Sequence, residues 1–148
     1  LNRLPFFPLY YSGKTKFMPI HCSDLTEIIY QIIIKKIKSN TIECIGPETI
    51  SLKNILERLL YLIDKKRILI PMPLFIAKLS AAFFQLFPKP ILTIDQLNLL
   101  KYDNILSGKY QSNFDINIPS VHKFNLEVEK YCYMWKEAGQ FSKKKPDL

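Results

Sequence analysis

The chain has 148 residues, 48% of them hydrophobic and 13% aromatic, and a formal net charge of +8. That length suits one lobe with a real core, residues 1–148 with a tail from about 140, and that composition excludes a disordered chain. The charge does not mark a nucleic-acid binder: Lys outnumbers Arg 18 to 3, the lysines are spread along the sequence, and only Lys143-Lys144-Lys145 forms a run.

In chain order, residues 1–11 are rich in Pro and aromatics and read as an irregular lead-in, ended at Gly13. No charged segment followed by an apolar run opens the sequence, so no signal peptide is expected, and a start at Leu1 reads as a chain cut at its amino end. Phe17 to Cys22 reads as extended, interrupted by Pro19. Asp24 is the expected N-cap of the next helix, with Glu27 completing a capping box. Behind it Leu25, Ile28, Ile29, Ile32, Ile33 and Ile37 recur at helical spacing. Thr41 to Ile45 reads as a short strand ended by Gly46-Pro47. Ser51 caps a helix with an apolar face of Leu52, Ile55, Leu56, Leu59, Leu60 and Ile63.

Arg67 to Ile70 reads as a strand stopped by Pro71. Leu74 to Phe87 is an apolar helix, too short to span a bilayer. Burial in a core, docking on a partner subunit and lying on a membrane surface all fit its composition. Thr93 and Gln96 form a capping box for a shorter helix. Residues 103–119 read as irregular, and Ser120 as the start of a last helix with Gly139 beyond its end. The order alternates helix and strand but yields only two or three short strands, too few for a self-sufficient doubly wound sheet.

Cys22, Cys44 and Cys132 are odd in number and form no CxxC, so buried reduced thiols are expected. His21 and His122 keep no ligand spacing with them, and no metal is expected.

Three segments resemble a family. Residues 16–25, Lys-Phe-Met-Pro-Ile-His-Cys-Ser-Asp-Leu, are similar to the aromatic-x-x-Ile/Val-His-Val-x-Asp-Leu/Val segment of extended short-chain dehydrogenases, a group that includes sugar-nucleotide epimerases. Ile45-Gly46-Pro47-Glu48 resembles the Gly-Pro-Glu turn of one branch. Residues 90–104, with Leu-Thr-x-Asp-Gln and Leu-Lys-x-Asp-Asn, resemble the atypical branch of the NAD(P)H-binding accessory subunit of respiratory complex I and its bacterial relatives. The resemblance implies an α/β fold: the carboxy-terminal, substrate-side lobe of a Rossmann-type extended short-chain dehydrogenase, mostly helical. It implies NAD or NADP in the full-length protein and an absent N-terminal nucleotide-binding lobe as partner. Respiratory complex subunits or a membrane surface are further partners. The implied location is cytoplasmic, peripheral on an inner membrane, on the matrix side in a mitochondrion. An epimerase, dehydratase or reductase half is the alternative.

The four glycines, at 13, 46, 108 and 139, build no Gly-rich dinucleotide turn, so no cofactor-binding residue is assigned and no cofactor is expected for this chain alone. The enzymatic branches use Tyr-x-x-x-Lys. Tyr10/Lys14 and Tyr61/Lys65 match it, but both fall after the family's position for the pair, so no catalytic residue is assigned. Lys16 and His21 remain as candidate substrate contacts, beside a purely structural reading of His21 as a buried ring bonded to backbone.

Overall fold

A computed structural model describes residues 6–38, 41–85 and 93–136. Among them the chain is α/β, with five α-helices and six short strands. No helix among the described residues is long and apolar enough to cross a membrane. The chain forms two compact units, each discontinuous in sequence: residues 1–16 with 51–103, and residues 17–50 with 104–148.

The first unit is built on a parallel pair. β1 (Phe6–Tyr10) runs beside β5 (Ile68–Met72), with Leu9 opposite Pro71. β1 lies where an irregular lead-in was expected, and β5 runs through Pro71 instead of stopping before it. Proline lacks the ladder N–H, and a two-stranded sheet consists only of edges, where that loss is tolerated. Beyond β1 the backbone turns left-handed at Tyr11, Ser12 and Gly13 (φ 50°, 54° and 65°). A Cβ on Gly13 would sit 2.8 Å from both Leu9 Cδ1 and Lys53 Cβ, so this position requires glycine twice over. α2 (Leu52–Leu62) follows, capped as expected by Ser51 Oγ, which accepts the Asn54 N–H at 3.2 Å. α3 (Leu74–Phe84) meets α4 (Ile94–Leu99) through Ala77, Ala81 and Leu97, all buried. Two alanines on one face let the second helix approach closely. The Thr93/Gln96 capping box at the start of α4 is present in both directions. The expected continuation of α3 to Phe87 falls outside the described residues at its last positions.

α3 is only partly used as core. Leu74, Phe75, Ile76, Leu79 and Phe83 are exposed, as are Ile68 and Ile70 on β5.

The second unit holds α1 (Cys22–Ile34), β3 (Ile42–Glu43), β6 (Gln111–Ser112) and α5 (Phe124–Cys132). β3 and β6 pair in parallel. β2 (Lys16–Phe17) and β4 (Ile50–Ser51), also two residues each, form the remaining pair, at two of the places where the sequence passes between the units. Of the isoleucine stripe on α1 only Ile28 is fully buried, while Ile29 and Ile33 are exposed. Ile118 and Cys132 complete the unit's short set of buried apolar residues, and polar side chains fill much of the rest. Asn113, fully buried, accepts the Ile45 N–H on Oδ1 at 2.9 Å and donates from Nδ2 to the Ile118 carbonyl. Ser120 Oγ donates to the Ile45 carbonyl at 2.7 Å. Ser120 therefore starts no helix. α5 begins after Lys123, whose side chain makes no cap. Its first N–H, on Phe124, instead donates to Glu48 Oε1 at 2.7 Å, so a carboxylate from a distant turn sits at the positive end of the helix. The expected Gly139 terminus and the tail from 140 fall outside the described residues.

Candidate functional site

Within the second unit two histidines meet beside the start of α1. The N-cap of α1 is His21, not Asp24: its Nδ1 accepts the Ser23 N–H at 3.3 Å. An accepting Nδ1 leaves the proton of the neutral ring on Nε2. That nitrogen lies 3.4 Å from the Tyr131 hydroxyl and 3.9 Å from Glu127 Oε2. The tilted ring of His122 stands 4.9 Å away, centroid to centroid.

Asp24 is the third residue of the helix, in its first turn, and buried, and its carboxylate works across the unit. Oδ2 accepts the backbone N–H groups of Val121 and His122 at 3.0 and 2.9 Å. Oδ1 lies 2.6 Å from His122 Nδ1. Burial pushes the Asp24 carboxyl up, but the His122 N–H, the His122 ring and the Val121 N–H together outweigh it and hold the group below its usual range. Asp24 thus fixes the His122 ring through Nδ1 and leaves Nε2 as its basic nitrogen. Glu127 is also held low, chiefly by Lys130 Nζ at 2.7 Å.

His21, His122, Glu127 and Tyr131 border a cavity of about 190 Å³, whose apolar lining is Pro19, Ile20, Phe124 and Val128. It is smaller than the usual small-molecule pocket. A carboxylate-held imidazole, a second imidazole, a phenol and a carboxylate can exchange protons with a small polar guest. No cysteine, serine or lysine lines it. Among the described residues, no group of three or more His, Cys, Asp or Glu could hold a metal ion.

Of the two candidate substrate contacts, His21 lines this cavity and Lys16 does not. Lys16 is exposed in the other unit, and its backbone N–H donates to Asp103 Oδ1 at 2.8 Å. Neither Tyr-x-x-x-Lys match is a one-turn helical pair. The left-handed turn separates Tyr10 from Lys14, and α2 ends at Leu62, short of Lys65. Cys22 is exposed at the first turn of α1, against the expectation of burial, because the helix starts where a strand was expected. Cys44 is half-buried and Cys132 buried. Sequence reasoning missed His122, Tyr131 and Glu127. Their only signal is the spacing of Glu127 and Tyr131, four apart on one helix face.

The residues that carry the family resemblance hold backbone together. Met18 N–H donates to the Asn104 carbonyl at 3.1 Å, and the Met18 carbonyl accepts the Gly46 N–H at 3.2 Å. A Cβ on Gly46 would overlap the Pro19 carbonyl oxygen, so the Gly-Pro-Glu turn needs its glycine for close approach. No protein-family model matches the sequence, and no curated protein matches it significantly.

Proposed function

We propose that the chain is the substrate-side lobe of an NAD(P)-binding protein of the extended short-chain dehydrogenase type, of the accessory kind that serves a respiratory NADH:quinone oxidoreductase. The supporting observation is the Met18 junction. The three segments of the resemblance are far apart in sequence, yet Met18 of the first is hydrogen-bonded both to Gly46 of the second and to Asn104 of the third. His21, Glu48 and Thr93, quoted for the same resemblance, each cap a helix. Shared architecture of this sort is what a lobe retains when its chemistry is performed elsewhere. In this reading the dinucleotide is held by a separate nucleotide-binding lobe, and the protein is peripheral to a membrane complex. The exposed apolar side chains of β5 and α3 support a covering partner.

The test is to read the same frame upstream of Leu1 and titrate the longer protein with NADH and NADPH. A Gly-rich strand–turn–helix and one tightly bound nucleotide per chain are the expected result. A longer protein without that turn and without nucleotide binding overturns the proposal.

The histidine cavity favours a second reading, the substrate half of an epimerase, dehydratase or reductase. In that case a nucleotide sugar shifts the His21 and His122 ring resonances in the longer protein, and a Tyr-x-x-x-Lys pair lies upstream. In the accessory reading both are absent.

A further inference from the structure

Helix α1 packs by one side only. Ile28 is buried, and Leu25 and Ile32 are half-buried. Ile29, Tyr30, Ile33 and Ile34 are between 50% and 68% exposed. At about 100° per residue these four fall, with Thr26, on the side of the helix turned away from Ile28. Isoleucine is a mediocre helix former, so a helix rich in it depends on what it packs against. Three of the five isoleucines of α1 nevertheless stand in solvent.

Charge along this helix is polarised. Its two acidic residues, Asp24 and Glu27, lie in the first half, and Lys35 and Lys36 follow its end. Asp24 is buried and engaged with His122. Glu27 is exposed beside the apolar face, and its printed neighbour is a neutral amide: Gln31 Nε2 donates to Oε1 at 2.7 Å. The Lys35 N–H donates to the Gln31 carbonyl at 2.9 Å and the Lys36 N–H to the Ile33 carbonyl at 3.2 Å. Both lysines are thereby held against the last turn, with exposed side chains.

An apolar face with an acid towards one end and bases at the other is complementary to itself when turned end for end. A twofold axis between residues 31 and 32 sets Ile29 opposite the second copy's Ile34, Tyr30 opposite its Ile33 and Glu27 opposite its Lys36. The helix dipoles then also oppose one another. A parallel pair would instead bring Glu27 to Glu27 and lysine to lysine. An anionic lipid surface fits less well, because it favours cations bordering the apolar face. Here Glu27 borders it, and the unit as a whole is nearly balanced, with ten Lys and Arg against nine Asp and Glu.

We propose that α1 is the contact of a twofold dimer: two copies of this chain pack antiparallel through Ile29, Tyr30, Ile33 and Ile34, with Glu27 of each copy near Lys35 and Lys36 of the other. Two to three turns of helix supply fewer residues than the roughly 20–30 a side of a standard interface, so the dimer is weak and forms with rising concentration. The contact does not involve α3, which belongs to the other unit, and does not depend on the family reading.

The test is sedimentation velocity over a concentration series, on the 148-residue chain carrying Phe75→Lys/Leu79→Lys so that association through α3 is removed. A monomer–dimer equilibrium that stops at the dimer is expected. Ile29→Lys/Ile33→Lys, at exposed positions, should weaken it about tenfold or more. Glu27→Lys alone and Lys35→Glu/Lys36→Glu alone should each weaken it about threefold to tenfold, since every exposed pair occurs twice across the axis. The three charge changes combined in one chain should restore the starting affinity, because unlike charges again face each other. These exchanges touch only exposed side chains, so they decide the matter even where the isoleucine variant has a lowered denaturation midpoint. A monomer at every concentration, association that continues past the dimer, or a combined variant no tighter than its two parents would overturn the proposal. Flotation with phosphatidylcholine–phosphatidylserine vesicles, lost in the isoleucine variant, would assign the face to lipid and overturn it as well.

Discussion

Asp24 Oδ1 and His122 Nδ1 are 2.6 Å apart, across 98 positions of sequence. The same carboxylate accepts two backbone N–H groups, so it ties the start of α1 to the segment that leads into α5. Asp24→Ala leaves those donors without a partner and should destabilise the chain by about 1–3 kcal/mol in chemical denaturation. The loss comes from this bridge and not from an N-cap, so His21→Ala should cost less.

The pH dependence follows from the lowered Asp24 carboxyl. A folded-state value below the unfolded one, about 3.9, gives stability that is present above that pH and lost as pH falls through the folded value. Denaturation midpoints of the wild-type chain should fall from about pH 5 downward. Asp24→Asn should be less stable at neutral pH and show a shallower acid decline. Parallel acid profiles for the two proteins would rule out this assignment.

Gly46 and Gly108 separate two costs of replacing glycine. At Gly46 a Cβ overlaps the Pro19 carbonyl oxygen, whereas at Gly108 (φ 71°) it meets nothing within 4 Å. Gly108→Ala should cost about 1–2 kcal/mol of backbone strain alone. Gly46→Ala should cost about 3 kcal/mol or more, because backbone must move to admit the methyl. Equal melting temperatures for the two variants would contradict the close approach.

Glu48→Ala should destabilise by about 0.5–2 kcal/mol, since it uncaps α5 from a distance. Thr93→Ala should cost a similar amount at α4. Amide exchange distinguishes the two: the first turn of α5 should lose protection in one variant and that of α4 in the other.

Phe75 is 78% exposed and Leu79 63%. These are high values for large apolar side chains on one helix, and they favour association. Sedimentation velocity over a concentration series should show reversible self-association, reduced in Phe75→Lys/Leu79→Lys. A wild-type chain that sediments as a monomer at every concentration would show that these residues do not drive association.

The starts of α2 and α4 were legible because each has a local cause, whereas that of α5, capped by distant Glu48, was not. Ser51, Thr93 and Gln96 make the bonds that their spacing announces. α1 was placed correctly and its cap misassigned, because Asp24 has the right chemistry for a cap but a buried partner far along the chain. β1 was hidden by Pro8. β3 and β6, at two residues each, are too short for alternation to register. The candidate site was half legible: His21 stood out beside a helix start, whereas His122 is recruited by a contact that no spacing encodes. Asn113 lay within a polar stretch read as irregular, and only its complete burial reveals its role.

The discontinuity of both units bears on how the chain is made. Residues 17–50 emerge from the ribosome long before residues 104–136, which carry Asn113, Ser120 and His122. Until those are translated, Ile45, Glu48 and Asp24 have none of the partners they hold in the finished protein. A chain stopped before residue 104 therefore lacks the partners of the half of the unit already made. Nascent chains of that length are natural clients for chaperones and proteases, and a cut between residues 50 and 104 separates the two halves of the second unit.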